Sequence, residues 1–270
     1  MPHTGWVSMM IRAVVAGVVL AMVAGPGSAR AGEVFYAGAV QYSTGDFVFT
    51  DRTSNVYVLN GVSYTTDRWT VSASVPVIYQ NTALVSNAGP GMLPGGGDMT
   101  ETSGNGHHSG MMGTGATVSS ESFDEVGVGD PLVRGDVALI GGRAHRYSVA
   151  VSATVKAPVA DADHGFGTGE WDYAGGLSGR CTAGNYTGAA SLFYWWMGDP
   201  EGTDFENPVA YSVSAFRLLG RSRFSAGVSV SGFTRVTGGT DGFRQLGTTV
   251  MFVPDASRSL SAGVYFGMSD

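Results

Sequence analysis

From Arg68 to Tyr79 the chain alternates: Trp69, Val71, Ala73, Val75, Val77 and Tyr79 hold the odd positions, while Arg68, Thr70, Ser72 and Ser74 hold even ones. Successive side chains of an extended strand point to opposite faces, so this segment has one apolar and one polar face. His145 to Ala157 repeats the pattern, with Tyr147, Val149, Val151, Ala153 and Val155 against Arg146, Ser148, Ser152, Thr154 and Lys156. Weaker copies run Val34–Tyr42, Asn55–Tyr64, Leu132–Ile140, Glu170–Ser178, Asn185–Trp196, Val209–Leu218, Arg223–Thr234, Phe243–Val253 and Ser259–Met268, which gives eleven candidate strands. Nowhere after Gly32 do apolar residues keep helical spacing beyond a turn or so. The 42 glycines among 270 residues also oppose helix, each costing about 1 kcal/mol against alanine. The chain reads as all-β.

Length and rhythm favour a transmembrane antiparallel β-barrel over a soluble sandwich. Several segments exceed the five or six residues of an ordinary strand and match the tilted strands that cross a bilayer. Short links (Thr65–Asp67, Gly141–Ala144, Gly220–Ser222, Pro254–Ser257) alternate with longer ones (Ser43–Ser54, Pro158–Gly169, Met197–Pro208, Arg235–Gly242). Tight turns on the periplasmic side and longer loops outside are the signature of outer-membrane barrels. Trp69, Tyr79, Trp171, Tyr173, Trp195 and Trp196 sit near strand ends, where headgroup girdles of aromatics are expected. Lys plus Arg is 15 against 22 acids, so no basic field attracts nucleic acid. A lone Cys181 makes neither an internal disulfide nor a thiolate metal cluster.

The N-terminus carries an export signature. Arg12 supplies a positive start, Ala13–Ala24 an apolar core, and Ala29, Arg30 and Ala31 a small-x-small cleavage site. Residues 1–31 are expected to leave as a signal peptide, and the product, having lost Arg12 and Arg30, is more acidic than the whole chain at −7. Residues 32–270 then form the barrel, with a Gly-rich loop insertion at about 80–124, centred on Pro94–Thr117. Eleven strands conflict with the even number of bacterial single-chain barrels. A barrel of about twelve strands is expected, so either one strand is missed in the count or, as an ending, Phe266-Gly267-Met268-Ser269-Asp270, without a terminal aromatic suggests, a last strand is absent from the chain.

Several stretches carry a family resemblance. Gly61-Val62-Ser63-Tyr64, Arg68 and Ser74-Val75-Pro76-Val77 resemble the "G-x-x-Y…R…l-P-y-v" segment of the MetA-pathway phenol-degradation family of outer-membrane transporter-like proteins. Gly127-Val128-Gly129-Asp130 is similar to its "G-x-G-D" strand opening. Lys156-Ala157-Pro158, followed by Gly167-Thr168-Gly169-Glu170-Trp171-Asp172-Tyr173, is similar to its "K-x-P…G-T-G-x-x-D-Y" loop. The resemblance implies a monomeric outer-membrane barrel of about twelve strands that passes small, often hydrophobic compounds, with no catalytic residues and no cofactor.

If the apolar faces meet lipid, Arg68, Arg134, Asp136, Arg146, Lys156, Asp172 and Arg223 line the lumen, because Arg or Lys on the lipid face at mid-depth costs about 2–4 kcal/mol. They would form either a selectivity network or a structural one that fills a narrow barrel. In the insertion His107, His108, Met111 and Met112 join imidazole to thioether ligands, a pairing suited to copper(I) or silver(I); the plainer reading is a flexible surface loop. Acids cluster at Asp161, Asp163, Glu170 and Asp172, and at Asp199, Glu201, Asp204 and Glu206, without the spacing of a calcium loop. His164, beside Asp161 and Asp163, is the one histidine placed to serve as a base, and no nucleophile motif accompanies it.

The function expected is therefore passive passage of small, hydrophobic or aromatic compounds through an outer-membrane channel, without enzymatic chemistry. Its partners would be outer-membrane lipid and lipopolysaccharide, a small-molecule cargo and the barrel-assembly machinery. Two other readings fit the sequence: a secreted soluble β-sandwich for adhesion, whose apolar faces would meet each other, and a non-conducting surface barrel with a metal-binding loop.

Overall fold

The alternation is realised as strands throughout. The computed structural model describes residues 14–23, 32–45, 53–81, 85–88, 91–94, 125–200, 204–220, 223–236, 242–255 and 258–268. In chain order the strands are β1 (Val14–Val23), β2 (Glu33–Gly45), β3 (Thr53–Thr65), β4 (Trp69–Gln80), β5 (Val85–Ala88), β6 (Gly91–Pro94), β7 (Glu125–Val128), β8 (Leu132–Gly141), β9 (Tyr147–Lys156), β10 (Asp172–Ala183), β11 (Tyr186–Trp196), β12 (Val209–Leu218), β13 (Phe224–Phe233), β14 (Phe243–Asp255) and β15 (Arg258–Gly267). All eleven segments read from the sequence are among them, within three residues at their starts and five at their ends.

One antiparallel sheet holds every strand except the small β5–β6 hairpin. Each long strand pairs on both sides: β1 with β2, β2 with β3, β3 with β4, β4 with β8, then consecutively to β15, which pairs back to β1. Setting aside the four-residue β7, which flanks one end of β4, the ring has twelve strands. Ring closure removes the unpaired edges that lipid would not tolerate.

The expected twelve strands are present, and of the two readings of the odd count the miscount holds: the twelfth strand is β1, drawn from the segment read as the apolar core of the signal peptide. The β1 register matches Val19 to Ala39 on one side and to Ser261 on the other. Within the loop insertion the described residues form the small hairpin β5–β6, and β7 borders it. Its histidine and methionine pairs, His107, His108, Met111 and Met112, lie outside the described residues.

Apart from the nine residues between β1 and β2, the short links gather at one end of the ring and the long ones at the other. At the short end Gly184 and Asn185 alone join β10 to β11, with Ala183 opposite Tyr186. Gly184 has φ of 58°, the left-handed conformation that a two-residue hairpin demands and that glycine adopts without steric cost.

Parity sorts the side chains. Val71, Val151, Leu177, Leu192, Val213, Val228, Val250 and Val264 are all exposed, so the ring turns its apolar face outward, the reverse of a soluble sandwich. Aromatics flank this belt: Tyr64 and Trp69 lie 5.2 Å apart at the short-turn end, and Tyr194 and Trp196 lie 4.9 Å apart at the long-loop end. Trp195 departs from expectation. It shares the inner face, is 7% exposed and packs with Ala174 and Phe193, because of two adjacent residues on a strand only one can face outward.

Candidate functional site

The inner face carries the polar residues. Lys156, the last residue of β9, lies opposite Asp172, the first of β10. Its ammonium is 3.0 Å from Asp130 Oδ2, 3.0 Å from Asp172 Oδ2 and 2.6 Å from Thr168 Oγ1. Thr168 accepts a hydrogen bond from the ammonium, and the two carboxylates are its ion-pair partners, Asp130 Oδ2 being held by charge without a hydrogen bond of its own. Lys156 is 1% exposed and both carboxylates 0%, so the cluster is fully withdrawn from water. A buried charge persists only when paired and hydrogen-bonded, and here each carboxylate has a second duty. Asp130 Oδ1 accepts the Val159 and Ala160 N–H groups, both at 2.9 Å. Asp172 Oδ1 accepts the Gly198 N–H at 3.0 Å.

These bonds hold residues 157–171, the link from β9 to β10, inside the long-loop mouth. Phe166 packs against Tyr57 of β3 and Ile78 of β4, all buried. Gln80 Nε2 donates to the His164 carbonyl at 2.8 Å. Gly127 of β7 lies so close to the Phe166 ring that a methyl group there would overlap it. His164 fastens the loop's outer side, with Nδ1 at 2.9 Å from Asp161 Oδ2 and Nε2 at 3.7 Å from Glu125 Oε2. The Asp161 hydrogen bond, then its charge and that of Glu125, raise the His164 pKa above its ordinary value; the same bond lowers that of Asp161. The histidine singled out as a candidate base is thus engaged as a fastener.

Midway along the lumen Arg134 and Asp136 of β8 form a two-point ion pair, at 3.0 and 2.6 Å to Oδ1. Ser152 donates to Asp136 at 2.5 Å, and the Arg134 guanidinium stands 4.7 Å from the centre of the Phe193 ring. Of the seven residues read as lumen-lining, Arg134, Asp136, Lys156 and Asp172 share the inner face. Arg68, Arg146 and Arg223 lie in connections beyond the strand ends, where alternation no longer fixes a side; Arg68 borders the cavity at the short-turn mouth. Missed by parity were Asp130 and Thr168, both in connections, although each sits in a quoted family motif. Nothing in the sequence pointed to Phe166.

A second pattern concerns the rings that face inward. A methyl group at Gly176 would strike Phe193, one at Gly227 would strike Phe216, and one at Gly247 would strike Tyr265. Each aromatic therefore lies over a glycine of the neighbouring strand, flat against the wall. Such rings present faces to the lumen instead of projecting across it.

Among the described residues no group of three or more His, Cys, Asp or Glu side chains is placed to hold a metal ion, so neither acidic cluster converges on a cation site there.

Nothing among the curated proteins matches the chain. Among solved structures it is similar to an outer-membrane channel of the COG4313 group from Pseudomonas putida F1, at 10% identity and a TM-score of 0.48, covering 98% of this chain and 100% of that one. It is also similar to the CymD monoaromatic hydrocarbon channel, at 9% identity and a TM-score of 0.43, over 97% and 89% of the two chains. A mutant of the TodX monoaromatic hydrocarbon channel aligns at 9% identity and a TM-score of 0.37, over 97% and 90%. A family model described as "Putative MetA-pathway of phenol degradation" matches residues 85–270, more than two thirds of the chain. That span contains the motifs that supply Asp130, Lys156, Thr168 and Asp172, and the chain belongs to this family.

Proposed function

We propose that the chain is an outer-membrane channel for passive passage of small aromatic or hydrophobic compounds. The observation that carries the reading is the closed antiparallel ring with an exposed apolar outer face, aromatic flanks and a polar inner face. Only lipid satisfies such an exterior, since exposed apolar patches beyond a few hundred Å² mark interfaces or membranes. Rings lying flat along the lumen offer stacking faces to an aromatic cargo, which agrees with the phenol of the family's description. Arg134 with Asp136, and Lys156 with its two aspartates, fix the wall and the inward loop, so they act on pore shape before selectivity.

In this reading the short turns face the periplasm and the long loops face outward, among lipopolysaccharide. The protein is inserted by the barrel-assembly machinery and works as a monomer. The sequence signature supports a leader over residues 1–31 removed near Ala31, but the closed ring draws β1 from residues 14–23, so a cut chain needs another strand in that slot, and intact mass of the membrane form tests the removal directly. The channel itself is tested in planar bilayers. Discrete conductance steps are expected, together with uptake of phenol or toluene by liposomes that contain the protein. A folded protein that leaves the membrane without detergent refutes the barrel, and one that stays in the membrane but gives neither steps nor uptake refutes the channel.

A further inference from the structure

Charge is distributed unevenly along the barrel axis. The long-loop mouth holds Asp161, Asp163, Glu170, Asp199, Asp204 and Glu206, whereas arginines dominate the short-turn mouth although the whole chain is acidic at −7. Within that second mouth is a cavity of about 430 Å³, in the range of small-molecule sites. Three arginines border it: Arg68, Arg143 and Arg180.

Two of the three are engaged. Arg143 pairs with Glu33 and stands over the Phe35 ring. Arg180 NH2 donates to the carbonyls of Arg143 and His145 at 3.1 and 3.2 Å, which holds the β8–β9 turn. Arg68 is different: among the described residues its guanidinium has no carboxylate, carbonyl or ring partner. Its main chain is fixed nonetheless, by the Thr66 hydroxyl that accepts the Arg68 and Trp69 N–H groups at 3.3 and 3.0 Å. On the same cavity wall Asp136 is spent on Arg134, Asp67 beside Arg68 is a second carboxylate, and Ala138 and Ala150 give an apolar patch.

We infer that the short-turn mouth is a binding site for a small organic carboxylate, with the Arg68 guanidinium as its counter-ion and Ala138 and Ala150 against its apolar body. A guanidinium presents paired donors that match both oxygens of a carboxylate. Counting their ion-pair partners, Arg68, Arg134, Arg143 and Arg180 outnumber Glu33, Asp67 and Asp136 around the cleft, and such an excess raises the local concentration of anions. The site lies on the channel's path, so its part in transport rests on the channel reading, while the binding itself does not.

Benzoate is a suitable probe, with benzyl alcohol as its uncharged counterpart and chloride as a competitor. Titrations of the folded full chain in detergent, followed by calorimetry or saturation-transfer NMR, should show benzoate bound more tightly than benzyl alcohol. Arg68→Gln should weaken benzoate about tenfold or more, the scale of one lost charge-assisted hydrogen bond, and Arg68→Lys should restore part of it. Arg146→Gln, on a neighbouring turn outside the cavity, should leave it unchanged. Equal binding of benzoate and benzyl alcohol, full displacement by equimolar chloride, or an unaltered Arg68→Gln variant that keeps its folded gel mobility would each overturn the site. A protein that conducts nothing but binds benzoate through Arg68 refutes the channel and leaves the site standing.

Discussion

Lys156→Met removes the cation from the most deeply buried polar cluster while nearly preserving side-chain volume. The ammonium touches two carboxylates and one hydroxyl within 3.0 Å, and all three charged groups are at most 1% exposed. Without it Asp130 and Asp172 face each other with no counter-charge, and breaking a buried ion pair in this way costs about 3–5 kcal/mol. In urea, with a slope of about 2 kcal/mol per molar, that moves the unfolding midpoint down by roughly 1.5–2.5 M. Tryptophan emission of protein refolded into lipid vesicles is a suitable readout, because Trp171 and Trp195 flank the cluster's strands. The cause is separable from lost packing. Adding Asp130→Asn and Asp172→Asn to Lys156→Met removes the stranded charges, and whole-cluster replacement of this kind is often near neutral, so the triple variant should recover more than half the loss. A Lys156→Met protein as stable as the parent, or a triple variant no better than the single, would refute this account of the cluster.

Other consequences follow from the same geometry. Val213→Arg, on the exposed face of β12, should impair membrane assembly by about 2–4 kcal/mol more than Ser214→Arg on the inner face; equal heat-modifiability of the two on gels contradicts the assigned facing. Gly247→Val should displace the Tyr265 ring into the lumen and lower single-channel conductance with the folded gel band retained, and an unchanged conductance contradicts the flat-ring arrangement. The fastening of the 157–171 loop by His164 should depend on pH. Because the His164 pKa is raised, its contribution is full below the ordinary value of 6.5 and fades as pH rises through the raised value. Asp161, held below its ordinary 3.8, removes it again only in strong acid. Hydrogen exchange of the loop should therefore be slower at about pH 5 than at about pH 8 once corrected for the intrinsic rate, and His164→Gln should erase the difference.

What the sequence showed, and what it hid, divides along the reach of period two. Within a strand, parity alone placed Arg134, Asp136, Lys156 and Asp172 on the inner face, because a lipid-facing position excludes them. Parity stops at the last paired residue, so it assigned no reliable side to Arg68, Arg146 or Arg223, and none to Asp130 or Thr168, whose partners are set by the path of a loop. Trp195 and Trp196 failed for a related reason: two neighbouring aromatics were read by type, although their alternation with Tyr194 already sent Trp195 inward. The seat of Phe166 against Tyr57 and Ile78 joins residues 109 and 88 positions apart in sequence, and no local pattern encodes it.

The first strand shows the limit most sharply. Parity required a twelfth strand with a direction antiparallel to both β15 and β2, since those two run parallel to each other and direct pairing between them would place one parallel ladder in an antiparallel ring. Residues 14–23 meet that requirement in register, and they do so with valine, alanine, glycine and leucine, the residues that also make the apolar core of a leader. One molecule cannot use them for both, because cleavage near Ala31 takes the strand away and opens the ring between β15 and β2. An opened edge in lipid leaves backbone groups unpaired at several kcal/mol each, so a leader that is cut demands another strand of the same direction in that slot. Cysteines at Ala39 and Ser261 measure whether the slot is filled. With a strand between them their backbones stand two strand spacings apart, about 9.5 Å, beyond the reach of a disulfide. No cross-link should therefore form in the membrane form, and a disulfide there would mean that β15 and β2 have met.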